Sequence, residues 1–155
     1  MDFRISALPA EGFAPLFGAS DHRLAALGAC RVVADEVPGY PCRVSLEDAE
    51  VGERLILLAF EHHAVKTPYR GVGPIYVREG AARAEPAVNE VPLSVRRRML
   101  SLRGYDGRGM LIGADVVDGR DFEAGVRGLF ALDEVRYIHA HNAKPGCYNC
   151  RVDRV

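Results

Sequence analysis

Ten residues in the middle of the chain, Arg54 to His63 (RLILLAFEHH), constrain the fold more than any other stretch. Ile56, Leu58 and Phe60 alternate with Leu55, Leu57 and Ala59, so both faces of an extended segment are apolar. Such a strand is predicted to be central and covered on both sides. Polarity begins abruptly at Glu61, His62 and His63, where the strand leaves the core. Because neighbours on a strand alternate faces, only one of the two histidines is expected to point at any given pocket.

The elements around it mix strands and helices without regular βαβ alternation. Phe3-Arg4-Ile5 reads as a first strand, CRVVADE and GPIYVRE as others, and MLSLRGY with MLIGADVV as a hairpin turning at Asp106-Gly107. VRYIHAH and CRVDRV follow as late strands. Short helices are predicted at Phe13, Leu16 and Phe17, and after a Ser20 or Asp21 cap up to Gly28. Another follows Pro92, carrying Leu93 and Met99. A last one has Phe122, Val126, Leu129 and Phe130 on one face, opened by Asp118 or Asp121. VPGYPCR is too broken by Pro and Gly for regular structure, and residues 80–90 read as a surface loop. The reading is one α+β domain over residues 1–155, with a mostly antiparallel sheet and three to four short helices.

A chain of 155 residues buries enough surface to fold without a disulfide or metal. A net charge of −1 argues against nucleic acid and membrane surfaces as partners. The N-terminus lacks a signal-peptide pattern and no apolar run reaches membrane length, so a cytoplasmic protein with reduced cysteines is expected. Of 20 basic residues only Lys66 and Lys144 are lysines, a bias that fits a GC-rich genome and also fits guanidinium recognition of planar anions. The Arg96-Arg97-Arg98 run reads as a solvated helix face.

Chemistry concentrates in YIHAHNAKPGCYNC, residues 137–150. On a strand Val135, Tyr137, His139 and His141 share a side. A turn at Ala143–Gly146 can return Cys147 and Cys150 toward the imidazoles. Zinc held by His139, His141, Cys147 and Cys150 is one reading, although the ligand order is reversed from the usual one. A helix-borne dithiol is disfavoured because RVDRV after Cys150 reads as strand. A nucleophilic Cys147 activated by His139 or His141 is another reading. Half-buried histidines hydrogen-bonded at a strand end, with Cys147 as a small apolar filler, are the structural alternative.

The motifs PCRVSLEDAEVGE, TPYRGVGPIYVR behind the His62-His63 pair, SLRGYD, ADVVDG and HNAKPGCYxxRVDR together resemble a bacterial family of unknown function, domain of unknown function 1203. The likeness runs over nearly the whole chain. It implies a small stand-alone bacterial protein and carries no established activity. It singles out Pro41, Cys42, Arg43, Pro68, Tyr69, Gly73, Pro74, His141, Asn142, Pro145, Gly146, Cys147, Tyr148 and Arg151, and leaves Cys150 incidental. It also implies that Cys42 and Cys147 are neighbours in one pocket or a pair that can oxidise.

The expectation is one polar pocket where three strand ends meet, binding a small anionic metabolite, with no cofactor. Cys42, Arg43, His62, Tyr69, Arg70, Asn142, Tyr148 and Arg151 would bind, and His141 and Cys147 would supply acid/base or nucleophilic chemistry. A non-catalytic binding or sensing module is the second class, and a zinc protein using His139, His141 and Cys147 the third. Oligomeric state is left open by the sequence.

Overall fold

A computed structural model describes all 155 residues. The elements are β1 (Phe3–Ser6), α1 (Ala14–Phe17), α2 (Asp21–Ala26), β2 (Cys30–Val33), β3 (Arg54–His63), β4 (Gly71–Arg78), α3 (Leu93–Arg96), β5 (Met99–Tyr105), β6 (Leu111–Asp118), a 3₁₀ turn (Gly119–Asp121), α4 (Phe122–Phe130), β7 (Tyr137–Asn142) and β8 (Tyr148–Arg154). They form an α+β domain with two antiparallel sheets where the sequence suggested one. The larger has the order β1-β8-β7-β5-β6 and the smaller β2-β3-β4. No helix is long and apolar enough to cross a membrane.

The large sheet carries the main core on one face. Leu100, Leu102, Ile138, Ala140, Cys150 and Val152 point to that face and pack against Phe122, Val126, Leu129 and Phe130, the four residues whose spacing predicts α4. Val135 precedes β7 and is buried in this same core, so it does not share the histidine side as alternation from a longer strand would require. The opposite face carries Ser101, Arg103 and Tyr105 from β5, beside Tyr137, His139 and His141 from β7. It is this polar, aromatic face that meets the small sheet.

β3 is central in its sheet, as its apolar run demands, but it is covered on both sides only at its start. Leu55 and Ile56 are fully buried, Leu57 and Leu58 partly, and Ala59 is exposed. One face packs Leu58 and Phe60 with Phe13, Ile75 and Val77. The other packs Leu55 under Ala34, Ala49 and Tyr40, and leaves Leu57 facing a cavity. The helices around this sheet are short because their signals are local. Ser20 accepts the Arg23 N–H and starts α2, and Gly28, at φ 71°, stops it. α3 is a single turn that buries Ser94 and Val95, while Leu93 and Met99 stay exposed.

Candidate functional site

Two β-bulges build the site. In β3 the register with β4 slips between Glu61 and His63, so His62 is the extra residue. The bulge defeats the alternation expected from sequence, and both histidines reach the His139 ring, at centroid distances of 6.2 Å for His62 and 4.9 Å for His63. In β8 the register with β7 slips between Ala140 and His141, which makes Asn149 the extra residue. Cys150 therefore faces the core opposite Ala140, while Tyr148 lies opposite His141 on the histidine side.

The result is an imidazole cluster between the sheets. His62 stacks on Tyr148, with centroids 5.4 Å apart and planes 8° apart, and sits edge-on to His141 at 5.0 Å. His139 and His141 are 3% and 1% exposed. Outer partners fix the tautomers of two rings. The Gly146 carbonyl can only accept, so His141 donates from Nδ1 at 3.0 Å and keeps its lone pair on Nε2. By the same logic His63 donates from Nδ1 to the Tyr69 carbonyl and accepts the Tyr137 hydroxyl on Nε2, both at 2.7 Å. Three buried nitrogens have no partner: Nδ1 of His62, Nδ1 of His139 and Nε2 of His141.

Burial opposes protonation of His62, His139 and His141. It lowers the His139 pKa to about 2, helped by the neighbouring His63 and His141, and the His141 pKa to about 4 against the opposing Gly146 hydrogen bond. His62 is lowered by burial first, then by His63 and Arg103. A Cβ at Gly71 would fall 2.5 Å from His62 Cε1. Gly71→Ala is thus expected to keep the fold, since the backbone there suits any residue, and to turn the His62 ring out of the cluster. A changed His62 imidazole signal in NMR spectra, with the other histidines little moved, would show it.

Beside the cluster lies a cavity of about 630 Å³. Leu57, Pro74 and Tyr76 of the small sheet wall one side, and Asn142, Pro145 and Cys147 of the β7–β8 turn another. Arg43, Arg97, Arg98 and Lys144 also line it, and no carboxylate does. Arg43 is 1% exposed. It donates from Nε to the Tyr148 carbonyl at 2.7 Å, from Nη1 to the Pro41 carbonyl, and from Nη2 to Cys147 Sγ at 3.1 Å. Its pKa is pulled down by burial, against the pull of Cys147. Asn142 adds a second donor to Cys147 Sγ at 3.4 Å while its Oδ1 accepts from Asn149.

The three segments singled out by sequence do meet, because Arg43 holds Tyr148 and His62 stacks on it. They do so around two cavities. The second, of about 370 Å³, is lined by His62, Tyr69, Arg70, Arg103, His141 and Tyr148, and shares Pro74, Pro145 and Cys147 with the first. No hydrogen bond joins His141 to Cys147; the thiol contacts Arg43 and Asn142 instead. Arg70 pairs with Glu61 at 2.5 Å and is mostly exposed. Arg151 pairs with Asp153 at 2.7 Å and lies 4.0 Å over the Tyr137 ring.

Several expectations are corrected. All four cysteines are free, and Cys42 points into the small-sheet core, its sulfur accepting from the N–H groups of Ser45 and Arg78. Arg43, one residue on and turned the other way, is the group that reaches Cys147. Cys150 is sealed in the main core, so a His139, His141, Cys147 and Cys150 metal set cannot form; the third nitrogen beside His139 and His141 belongs to His62. The arginine run is not simply solvated. Arg98 holds the buried Asp48 carboxylate at 2.5 Å and the Ser94 carbonyl at 2.6 Å, and Arg96 pairs with Glu123. Sequence reasoning also passed over His63, Tyr105 and Tyr137 as parts of the cluster. The aromatic at every second position of YIHAH was the available signal for Tyr137.

No curated protein and no solved structure matches the chain. The family model described as "Protein of unknown function (DUF1203)" matches residues 39–154, three quarters of the sequence and every residue of both cavities, and the chain belongs to that family.

Proposed function

We propose that the protein binds a small anionic metabolite in the cavity between Arg43, Arg97, Lys144 and Cys147. One observation carries this reading: Arg43 is a buried guanidinium with no carboxylate partner, on a cavity wall with four cationic and no acidic side chains. A buried charge is ordinarily paired. Three of its five N–H groups go to two carbonyls and a sulfur, which leaves donors for a carboxylate or phosphate oxygen. The apolar surfaces of Leu57, Tyr76 and Pro145 would take the rest of a small molecule. The free cysteines support a reducing, cytoplasmic setting.

Binding and catalysis separate at Cys147. An enzyme would use its sulfur, and a binding module would not. Thermal shift against phosphate, sulfate and small mono- and dicarboxylates is the direct test. At least one is expected to raise Tm, with Arg97→Ala and Lys144→Ala each weakening it about tenfold, the loss of one charge-assisted contact. No stabilisation by any anion, or stabilisation unchanged in both variants, would sink the proposal. If a bound anion is turned over, loss of turnover in a folded Cys147→Ser decides for an enzyme.

A further inference from the structure

We infer that His62, His139 and His141 form a metal site for a divalent ion of the zinc type, with an open position facing the smaller cavity. One ring nitrogen from each lies within 4.8 Å of those of the other two. Each of the three rings has a buried nitrogen with no hydrogen-bond partner, and two of the rings are more than nine-tenths buried. Buried polar atoms are ordinarily satisfied, so three rings that each carry an orphaned nitrogen and each bring a nitrogen into one cluster call for a shared partner.

The surroundings match what a ligating histidine needs. His141 donates its other nitrogen to the Gly146 carbonyl, the outer contact that aims the lone pair inward. His139 and His141, two apart on β7, present their rings on one side of the strand, and the bulge adds His62 from the other sheet. Zinc bonds of 2.0–2.1 Å ask for nitrogens about 3.3 Å apart, so the rings close modestly on the ion. His62, half-buried at the cavity edge, has the freedom to do so. Three histidines with a free fourth position is the pattern of reactive rather than structural zinc sites.

The ligand set carries no negative charge, and the cavity it opens onto, lined by Arg70 and Arg103, contains no carboxylate. The ion would therefore keep its full double charge, and the open position would favour water, hydroxide or a small anion. Imidazole-only ligation suits zinc, copper, nickel and iron, and disfavours magnesium and calcium. This site does not depend on anion binding beside Arg43, although Cys147 borders both cavities.

The test uses full-length protein purified without a histidine tag, stripped with chelator and titrated with zinc. One equivalent is expected by calorimetry and elemental analysis, with a rise in Tm. Cobalt(II) should give visible d–d bands of a nitrogen–oxygen site, without a thiolate charge-transfer band. His62→Ala, a half-buried position outside both cores, should fold and bind zinc at least about 100-fold more weakly, more than loss of an outer contact costs. Cys147→Ser should keep the equivalent. Folded wild type that binds neither zinc nor cobalt overturns the site. So does unchanged affinity in His62→Ala, or loss of the metal in Cys147→Ser.

Discussion

Truncating Arg43 to alanine is expected to destabilise the fold by about 3–5 kcal/mol, read as a lowered urea midpoint. The side chain is among the largest fully buried ones, and it ties the 41–43 segment to the β7–β8 turn across the two sheets. Removing it strips the Tyr148 and Pro41 carbonyls of their donor and leaves a cavity. Arg43→Met separates two roles. It fills the volume without the charge, and an isosteric apolar replacement of a buried ion is often tolerated. If Met restores stability, the guanidinium is retained for a ligand. If Met is as damaging as Ala, the cross-sheet hydrogen bonds are what matter. A loss below about 1 kcal/mol for Arg43→Ala would contradict the burial described for it.

Alkali should weaken the protein through Cys150. Burial in the main core pushes this thiol up from 9.0 to about 12. Between those values the unfolded chain releases a proton that the folded chain retains, so stability falls as pH rises. Below pH 9 both states hold the proton and the group contributes nothing to the pH dependence. The slope is about 1.4 kcal/mol per pH unit, or about 3 kcal/mol lost by pH 11. Cys150→Ala removes that loss at the cost of a small cavity. The check is the stability difference between the two proteins at pH 8 and pH 11, from urea midpoints. Parallel profiles would show that the sulfur is not buried as described.

What could be read beforehand follows from which physics is local. α4 is legible because four apolar residues at helical spacing need only one partner face, and the β5–β6 hairpin because Asp106 and Gly107 build their own turn. The Asp106 carboxylate takes the N–H groups of Arg108 and Met110 there. The convergence of Arg43, His62 and Tyr148 is legible as polarity at the ends of apolar runs. The partnering of the cysteines is not. Nothing in the sequence separates Cys42, whose neighbours on one face are apolar, from Arg43, which turns the other way into the gap between sheets. The division into two sheets is equally hidden, since strand order depends on contacts distant in sequence. His62 and His63 are misjudged because alternation is the rule and a bulge is its local suspension.

That suspension has a consequence for reading relatives of this chain. Side-chain direction along a strand is a matter of parity, and positions 62 and 149 are where the count is reset. A relative one residue shorter at either place would keep most of the same strand residues and still present different groups to the space between the sheets. Length at those two points, as much as the identity of any histidine, decides which members of the family can assemble the same imidazole cluster.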